Sequence, residues 1–222
     1  EADMVFISAG MGGGTGTGAA PVVAQVAKNL GILTVGIATK PFSFEGGVRL
    51  KRADEGIKKM KSVVDSIIVI NNDNIFKIAE EDMDAKEAVR KADEVLEKSL
   101  AGITDIINRP ADLNIDFADL KKAMTNKGEI FIGIGKGSGD NKGMDACEMA
   151  ISNPLIETGF RRASNIIYFI KGKLKIKDFS GVGKKLVEKY GAQANVYGGF
   201  DDSEYNEDKC ELIVIITSLE DR

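Results

Sequence analysis

The sequence predicts an α/β fold in two parts joined by a long helix. Three observations carry this. Short apolar, β-branched runs recur along the chain, from Met4, Leu33, Asp65, Glu129, Asn165, Asn195 and Glu211. Between most of them lie stretches with apolar residues at three- and four-residue steps, the helical period. One such stretch, from about Asp84 to Arg109, is far longer than the rest. Strands that alternate with helices imply βαβ units and a parallel sheet.

In chain order, Met4-Val-Phe-Ile-Ser-Ala9 reads as a buried strand and Pro21 to Leu30 as a helix. Between them lies Gly10-Met-Gly-Gly-Gly-Thr-Gly-Thr-Gly-Ala-Ala-Pro21. Strand, glycine-rich turn, helix is the architecture of a phosphate site, because glycine lets the backbone approach the anion and the helix start offers free N–H groups. Thr15 and Thr17 add hydroxyl donors. Leu33 to Thr39 is the second strand. Lys40 to Gly47 is a loop broken by Pro41 and Gly46-Gly47. Val48 to Val63 is helical through Leu50, Ala53, Ile57 and Met60. Asp65 to Ile70 is the third strand, after which Asn71 to Asn74 caps a short helix running to Ile78.

The long segment places Ala88, Ala92, Val95, Leu96, Ser99, Ile103 and Ile106 on one face, and Pro110 stops it. A helix of roughly 25 residues is about 38 Å long, enough to tie two domains together. After Pro110 come a short helix from Asp116 to Met124 and a strand from Glu129 to Ile134. Gly135 to Lys142 reads as a loop and Met144 to Ser152 as a helix. Three further strands follow, with Phe179 to Tyr190 helical. Lys171-Gly-Lys-Leu-Lys-Ile-Lys177 puts lysine on alternate positions and reads as a solvated strand face or protected sheet edge.

Composition narrows the chemistry. The 222 residues include no histidine, which removes histidine triads and histidine metal sites. Cys147 and Cys210 lack the spacing of a zinc or redox pair, and the absence of a disulfide framework fits a cytoplasmic location. A net charge of −4 argues against a nucleic-acid partner. No apolar run approaches 18 residues, so no direct membrane insertion is expected. The chain enters a core strand almost at its first residue and reads as a fragment.

Two generic readings of the glycine loop fit poorly. A Walker loop needs a lysine after the glycines, and none follows. Gly14, Gly16 and Ala19 satisfy a dinucleotide pattern, yet the next strand ends in Thr39-Lys40 where an acid would hold the ribose. The full string Gly12-Gly-Gly-Thr-Gly-Thr-Gly18 instead resembles the signature loop of the tubulin and FtsZ superfamily of filament-forming GTPases. Lys40-Pro-Phe-Ser-Phe-Glu-Gly46 is similar to the ribose-contacting loop of FtsZ, and Asn114-Ile-Asp-Phe-Ala-Asp119 looks like its synergy loop. With the long helix matching the central helix, the chain is identified as a member of the FtsZ family, of bacterial type.

The resemblance implies a fold of three parts. Residues 1–83 would be the remainder of a Rossmann-like parallel-sheet GTPase domain. Residues 84–109 would be the central helix. Residues 110–222 would hold the synergy loop and a smaller α/β domain with a four-stranded sheet. It implies GTP or GDP as ligand, with Mg²⁺ screening the phosphate charge. Gly12, Gly13, Gly14, Thr15, Gly16 and Thr17 would wrap the β- and γ-phosphates. Glu45 would accept from a ribose hydroxyl, Arg49 would reach the nucleotide, and Asp93 would meet the guanine base. Val89 stands where the family often has an aromatic residue. Asn114, Asp116 and Asp119 would act on the nucleotide of the neighbouring subunit, although Asp-x-x-Asp at a helix start is by itself an N-cap with a favourable acid. No metal site is expected from this chain alone.

The function so implied is hydrolysis of GTP by a protein that polymerises head to tail into the filaments of the division ring. Such a protein works in the cytoplasm at the division site, with division-ring regulators and membrane tethers as partners. About a third of the family's core precedes the strand at Met4. A further amino-terminal segment is therefore expected, either on another chain or lost from this one, and the fragment alone is expected to be inactive. Without that segment the first sheet would expose an edge and much apolar surface. The alternatives are a non-catalytic fragment that caps filaments and a Rossmann-type oxidoreductase.

Overall fold

The computed structural model describes residues 2–77, 84–108, 111–125, 128–152, 162–202 and 208–218. It is mixed α/β, and the chain divides into two compact units. The first comprises residues 1–96, 124–130 and 154–157; the second comprises 97–123, 131–153 and 158–222.

In the first unit, β1 (Met4–Gly10), β2 (Leu33–Lys40) and β3 (Ser66–Asn71) pair in parallel, Met4 opposite Leu33 and Val35 opposite Ser66. Helices α1 (Thr15–Asn29) and α2 (Gly47–Lys61) form the crossovers. The sheet and helices share a core of Ile7, Met11, Ala24, Ile57, Met60 and Ile67. β2 is buried along its first six residues, as a central parallel strand is. At its start the buried Asp65 accepts the Thr34 N–H at 3.0 Å and pairs with Lys28. The third strand, β3, also pairs in parallel with the start of β4 (Gly128–Ser138), Ser66 opposite Gly128 and Ile67 opposite Glu129.

β1 is the edge of this sheet, with β2 as its sole strand partner among the described residues. Its burial is partial, and the neighbouring helix exposes Val22, Val23, Val26 and Leu30 at 54–70%. An uncovered apolar edge is what the sequence led us to expect. After β3 the chain makes a 3-10 turn, Asn72–Lys77; its expected continuation to Ile78 lies outside the described residues. The long helix is present as α3 (Ala85–Asn108), and its expected end at Arg109 and Pro110 is likewise outside them.

The second unit has the strand order β4, β7 (Lys209–Ser218), β5 (Ala163–Lys171), β6 (Asn195–Asp201). β5 runs parallel to β6 and antiparallel to β7. Ile103 and Ile106 of α3 are buried here, and Gly102 lies against Ile213 and Ile134. Helices α4 (Phe117–Met124), α5 (Lys142–Ile151) and α6 (Ile176–Tyr190) complete the unit.

Two stretches differ from the sequence expectation. Gly135 to Ser138 is not a loop but the second half of β4. Glycines 133, 135 and 137 share one face of the strand, by the alternation of side chains. There a β-carbon would stand 2.2 Å from the Ala150 carbonyl oxygen, 1.9 Å from that of Ala146 and 1.8 Å from that of Lys142. The glycines are a contact face for the backbone of α5, not a turn. The lysine run is not a strand face either. Lys171 ends β5 and is buried, with its ammonium paired to Asp105 and, at 3.1 Å, to Glu211. Burial alone would lower its pKa, but the two carboxylates outweigh burial and hold it above the ordinary lysine value. Gly172 then turns the chain with φ 128°, and α6 starts at Ile176.

Because α5 meets β4 through backbone atoms, Gly135→Ala is expected to lower unfolding stability by about 1–3 kcal/mol, the range for overpacking. Urea denaturation followed by circular dichroism measures it. A midpoint equal to wild type would contradict the close approach.

Candidate functional site

The glycine loop joins the end of β1 to the start of α1, and three glycines set its shape. At Gly16 a β-carbon would lie 2.1 Å from the Gly10 carbonyl oxygen, so the helix begins against the strand end. Gly12 has φ 100°, where only glycine is comfortable, and it lies against the backbone of Arg49 in α2. Gly56 of α2 meets Thr17, where a β-carbon would stand 2.7 Å from the threonine methyl. Together these contacts fix loop and both helix faces at one point. Within the loop, the Gly12 N–H donates to Thr17 Oγ1 at 2.9 Å. That N–H therefore braces the loop from within.

Gly13 and Gly14 are different. Both are exposed, both lack positive φ, and a β-carbon on either would meet nothing within 4 Å. The fold itself gives no reason for glycine here. Open space over two small residues at a helix start is room for an anion, where the first-turn N–H groups lack intrahelical partners. Thr15 is the first residue of α1 and is exposed.

An open cleft of about 640 Å³ lies beside the loop. Gly12 and Gly13 form one side, and Glu45, Gly46, Gly47, Val48, Arg49 and Arg52 the other. The structure thus brings together the sequence-predicted Gly12, Gly13, Glu45 and Arg49. It also pairs the last two with each other: Arg49 Nη1 lies 2.6 Å from Glu45 Oε2. The other oxygen of Glu45 accepts the Phe42 N–H at 2.8 Å. Sequence reading assigned both side chains to a nucleotide but did not foresee their mutual pair, although the four-residue spacing was there to suggest it. Behind them, Asp73 Oδ1 accepts the Ser43 N–H at 2.8 Å, and the Phe42 ring packs on Phe44 and Phe76. These tethers were not legible in sequence.

Asp93 and Val89 are exposed on α3 and are not among the residues lining the cleft. In the second unit, the segment before α4 is rigidly built. Asn114 Oδ1 accepts the Ala111 N–H at 3.0 Å while its amide donates back to the Ala111 carbonyl. Leu113 exchanges backbone hydrogen bonds with Phe200 of β6. Asp116 caps α4, its Oδ1 accepting the Ala118 N–H at 2.9 Å. Asp119 sits in the first turn, half-buried. The capping reading of this pair is therefore correct in geometry, and it leaves one Asp116 oxygen and the Asp119 carboxylate for other work. No cluster of three metal-ligating side chains occurs among the described residues.

A phosphate-type loop on a parallel sheet, followed by a long helix and a second α/β unit, defines a nucleotide-binding class of fold. Residues 1–80 match the model of the Tubulin/FtsZ family GTPase domain, and residues 128–220 match that of the FtsZ family C-terminal domain. FtsZ from M. jannaschii, solved as an empty dimer, is 36% identical with a TM-score of 0.90, over 99% of this chain and 64% of that one. A W319Y mutant of the same protein matches equally, over 67% of its length. CetZ1 from Haloferax volcanii, a GDP-bound monomer, is 19% identical with a TM-score of 0.82 and shares the fold, over 100% of this chain and 66% of that one. The chain belongs to the tubulin/FtsZ family. It spans somewhat less than two thirds of the M. jannaschii dimer chain.

The contrast among the glycines is testable. Gly16→Ala is expected to cost about 1–3 kcal/mol of stability by overpacking, whereas Gly13→Ala should leave the thermal midpoint within about 2 °C of wild type. Calorimetry of the two variants checks this, and equal melting would remove the distinction.

Proposed function

We propose that the chain belongs to a GTP-hydrolysing cytoskeletal protein of the division ring, which assembles head to tail so that each active site is shared. One observation carries this reading. The cleft supplies backbone donors and guanidinium groups, but the one carboxylate lining it among the described residues, Glu45, is held by Arg49 and the Phe42 N–H. A phosphate-binding wall so equipped binds and positions, and needs an acid from elsewhere to orient water. The exposed Asp116 and the half-buried Asp119, on a capped helix start, are carboxylates with that capacity.

In this mechanism Gly13, Gly14, Thr15 and Thr17 receive the β- and γ-phosphates, Gly12 and Gly16 holding the loop in shape. The ribose displaces part of the Glu45–Arg49 pair, with Glu45 accepting from a hydroxyl and Arg49 turning to phosphate. Asp93 takes the guanine edge. Asn114, Asp116 and Asp119 of the next subunit orient a water in line with the γ-phosphate, the main task in phosphoryl hydrolysis. Mg²⁺ would be held chiefly by phosphate oxygens with one or two carboxylates, which Asp116 and Asp119 can supply, and it would neutralise developing charge. A loop on one subunit that enters a site on the next is a heterologous contact, and such contacts propagate into filaments. M. jannaschii FtsZ solved as a dimer and a CetZ protofilament with bound GTPγS support the assembly. We place the activity in the cytoplasm, at the division site, with regulators and membrane tethers as partners of the whole protein.

The test is GTP turnover by this chain, alone and with the part of an FtsZ relative that the match leaves uncovered. Turnover is expected only in the second case, and robust activity of the chain alone would refute the half-site. In the active pair, Gly13→Val and Asp116→Ala should each abolish turnover. An equal mixture of the two variants should recover about a quarter of it, because a shared site can take its intact halves from different subunits. No recovery would argue for a site within one subunit.

A further inference from the structure

We propose that Arg52 is a second phosphate-facing cation of the cleft, contacting the terminal phosphate of the bound nucleotide. The proposal rests on the nucleotide reading of the cleft given above. Arg49 and Arg52 both line the cleft, three residues apart on α2, a spacing that puts both on one helix face. Their states differ. The Arg49 guanidinium is already matched by Glu45 at 2.6 Å. Arg52 also lines the cleft and is exposed, with no ion pair or hydrogen bond among the described residues. Its positive charge is thus the part of the wall that no carboxylate among the described residues neutralises.

The opposite wall favours the same ligand atoms. Gly13 faces the cleft with open space above it, at a helix start whose first turn contains no acid. An anion placed there has backbone donors on one side and a planar, five-donor guanidinium on the other, a geometry suited to phosphate oxygens. A cation on this wall that has no acid partner among the described residues contributes most where ligand charge is greatest. Arg52 therefore discriminates by phosphate number from the outset, whereas Arg49 reaches phosphate only on leaving Glu45, which answers to the sugar.

The experiment measures binding of GTP, GDP, guanosine and inorganic tripolyphosphate to the chain by isothermal titration calorimetry. Arg52→Ala should weaken tripolyphosphate and GTP about tenfold, the loss of one charge-assisted contact, and GDP less. Guanosine affinity should not change, and Arg52→Lys should recover part of the GTP affinity. Lys51→Ala removes the same charge from an exposed neighbour that does not line the cleft, and should change none of these by more than about twofold. Arg52→Ala indistinguishable from Lys51→Ala, or an equal loss for guanosine and GTP, overturns the proposal. If Gly13→Val abolishes GTP binding while Arg52→Ala does not weaken it, Arg52 fails and the cleft reading stands. If Gly13→Val leaves GTP bound, or wild type binds none of the four probes, both fail. The thermal midpoint of Arg52→Ala should lie within about 2 °C of wild type, as for a solvated helix residue.

Discussion

The first unit depends on contacts that only glycine permits. α1 starts against the carbonyl of Gly10, and α2 presses on the loop at Gly12 and on α1 at Gly56. Each contact replaces a side chain by bare backbone, so three elements converge on one point. Everything functional follows from that convergence. The loop cannot spread, Thr17 is set where it accepts the Gly12 N–H, and α2 delivers its first turn to the cleft. Conformational entropy makes glycine costly in a helix, and the cost is offset here by close packing.

The second unit solves the same problem with the same residue. Three alternating glycines of β4 bring α5 onto the strand backbone, while Tyr168 fills a slot between Gly183 and Gly198. Charge supplies what packing does not. The buried Lys171 joins Asp105 of α3 to Glu211 of β7, a contact between a helix and a sheet that hydrophobic pattern alone would not align. Such a buried cation is tolerable because both its partners are close.

Much of this was legible in the residues. Ile-rich runs such as Ile67 to Ile70 are strands because nothing else buries β-branched side chains on both faces. The loop from Gly10 to Pro21 showed its place between a strand and a helix through its flanks. What misled was alternation. Glycine at every second position looks like a flexible turn until a helix is placed over it, and lysine at every second position looks like a solvated face until Lys171 meets its carboxylates. The Asp73 tether and Arg52 were hidden for a different reason. Each depends on which neighbour arrives in three dimensions, and a sequence of exposed polar residues does not carry that information.

The bare side of β1 has a consequence for how this chain behaves in a test tube. A parallel edge strand with unpaired backbone groups is a template for any other extended chain. Beside it, Val22, Val23 and Val26 of α1 and Leu30 just past its end form an exposed apolar stripe. Edge and stripe together give the molecule one adhesive flank. No lysine lies within β1 to repel another strand. That flank is built from residues other than those lining the cleft, so association through it is separate from whatever the cleft binds.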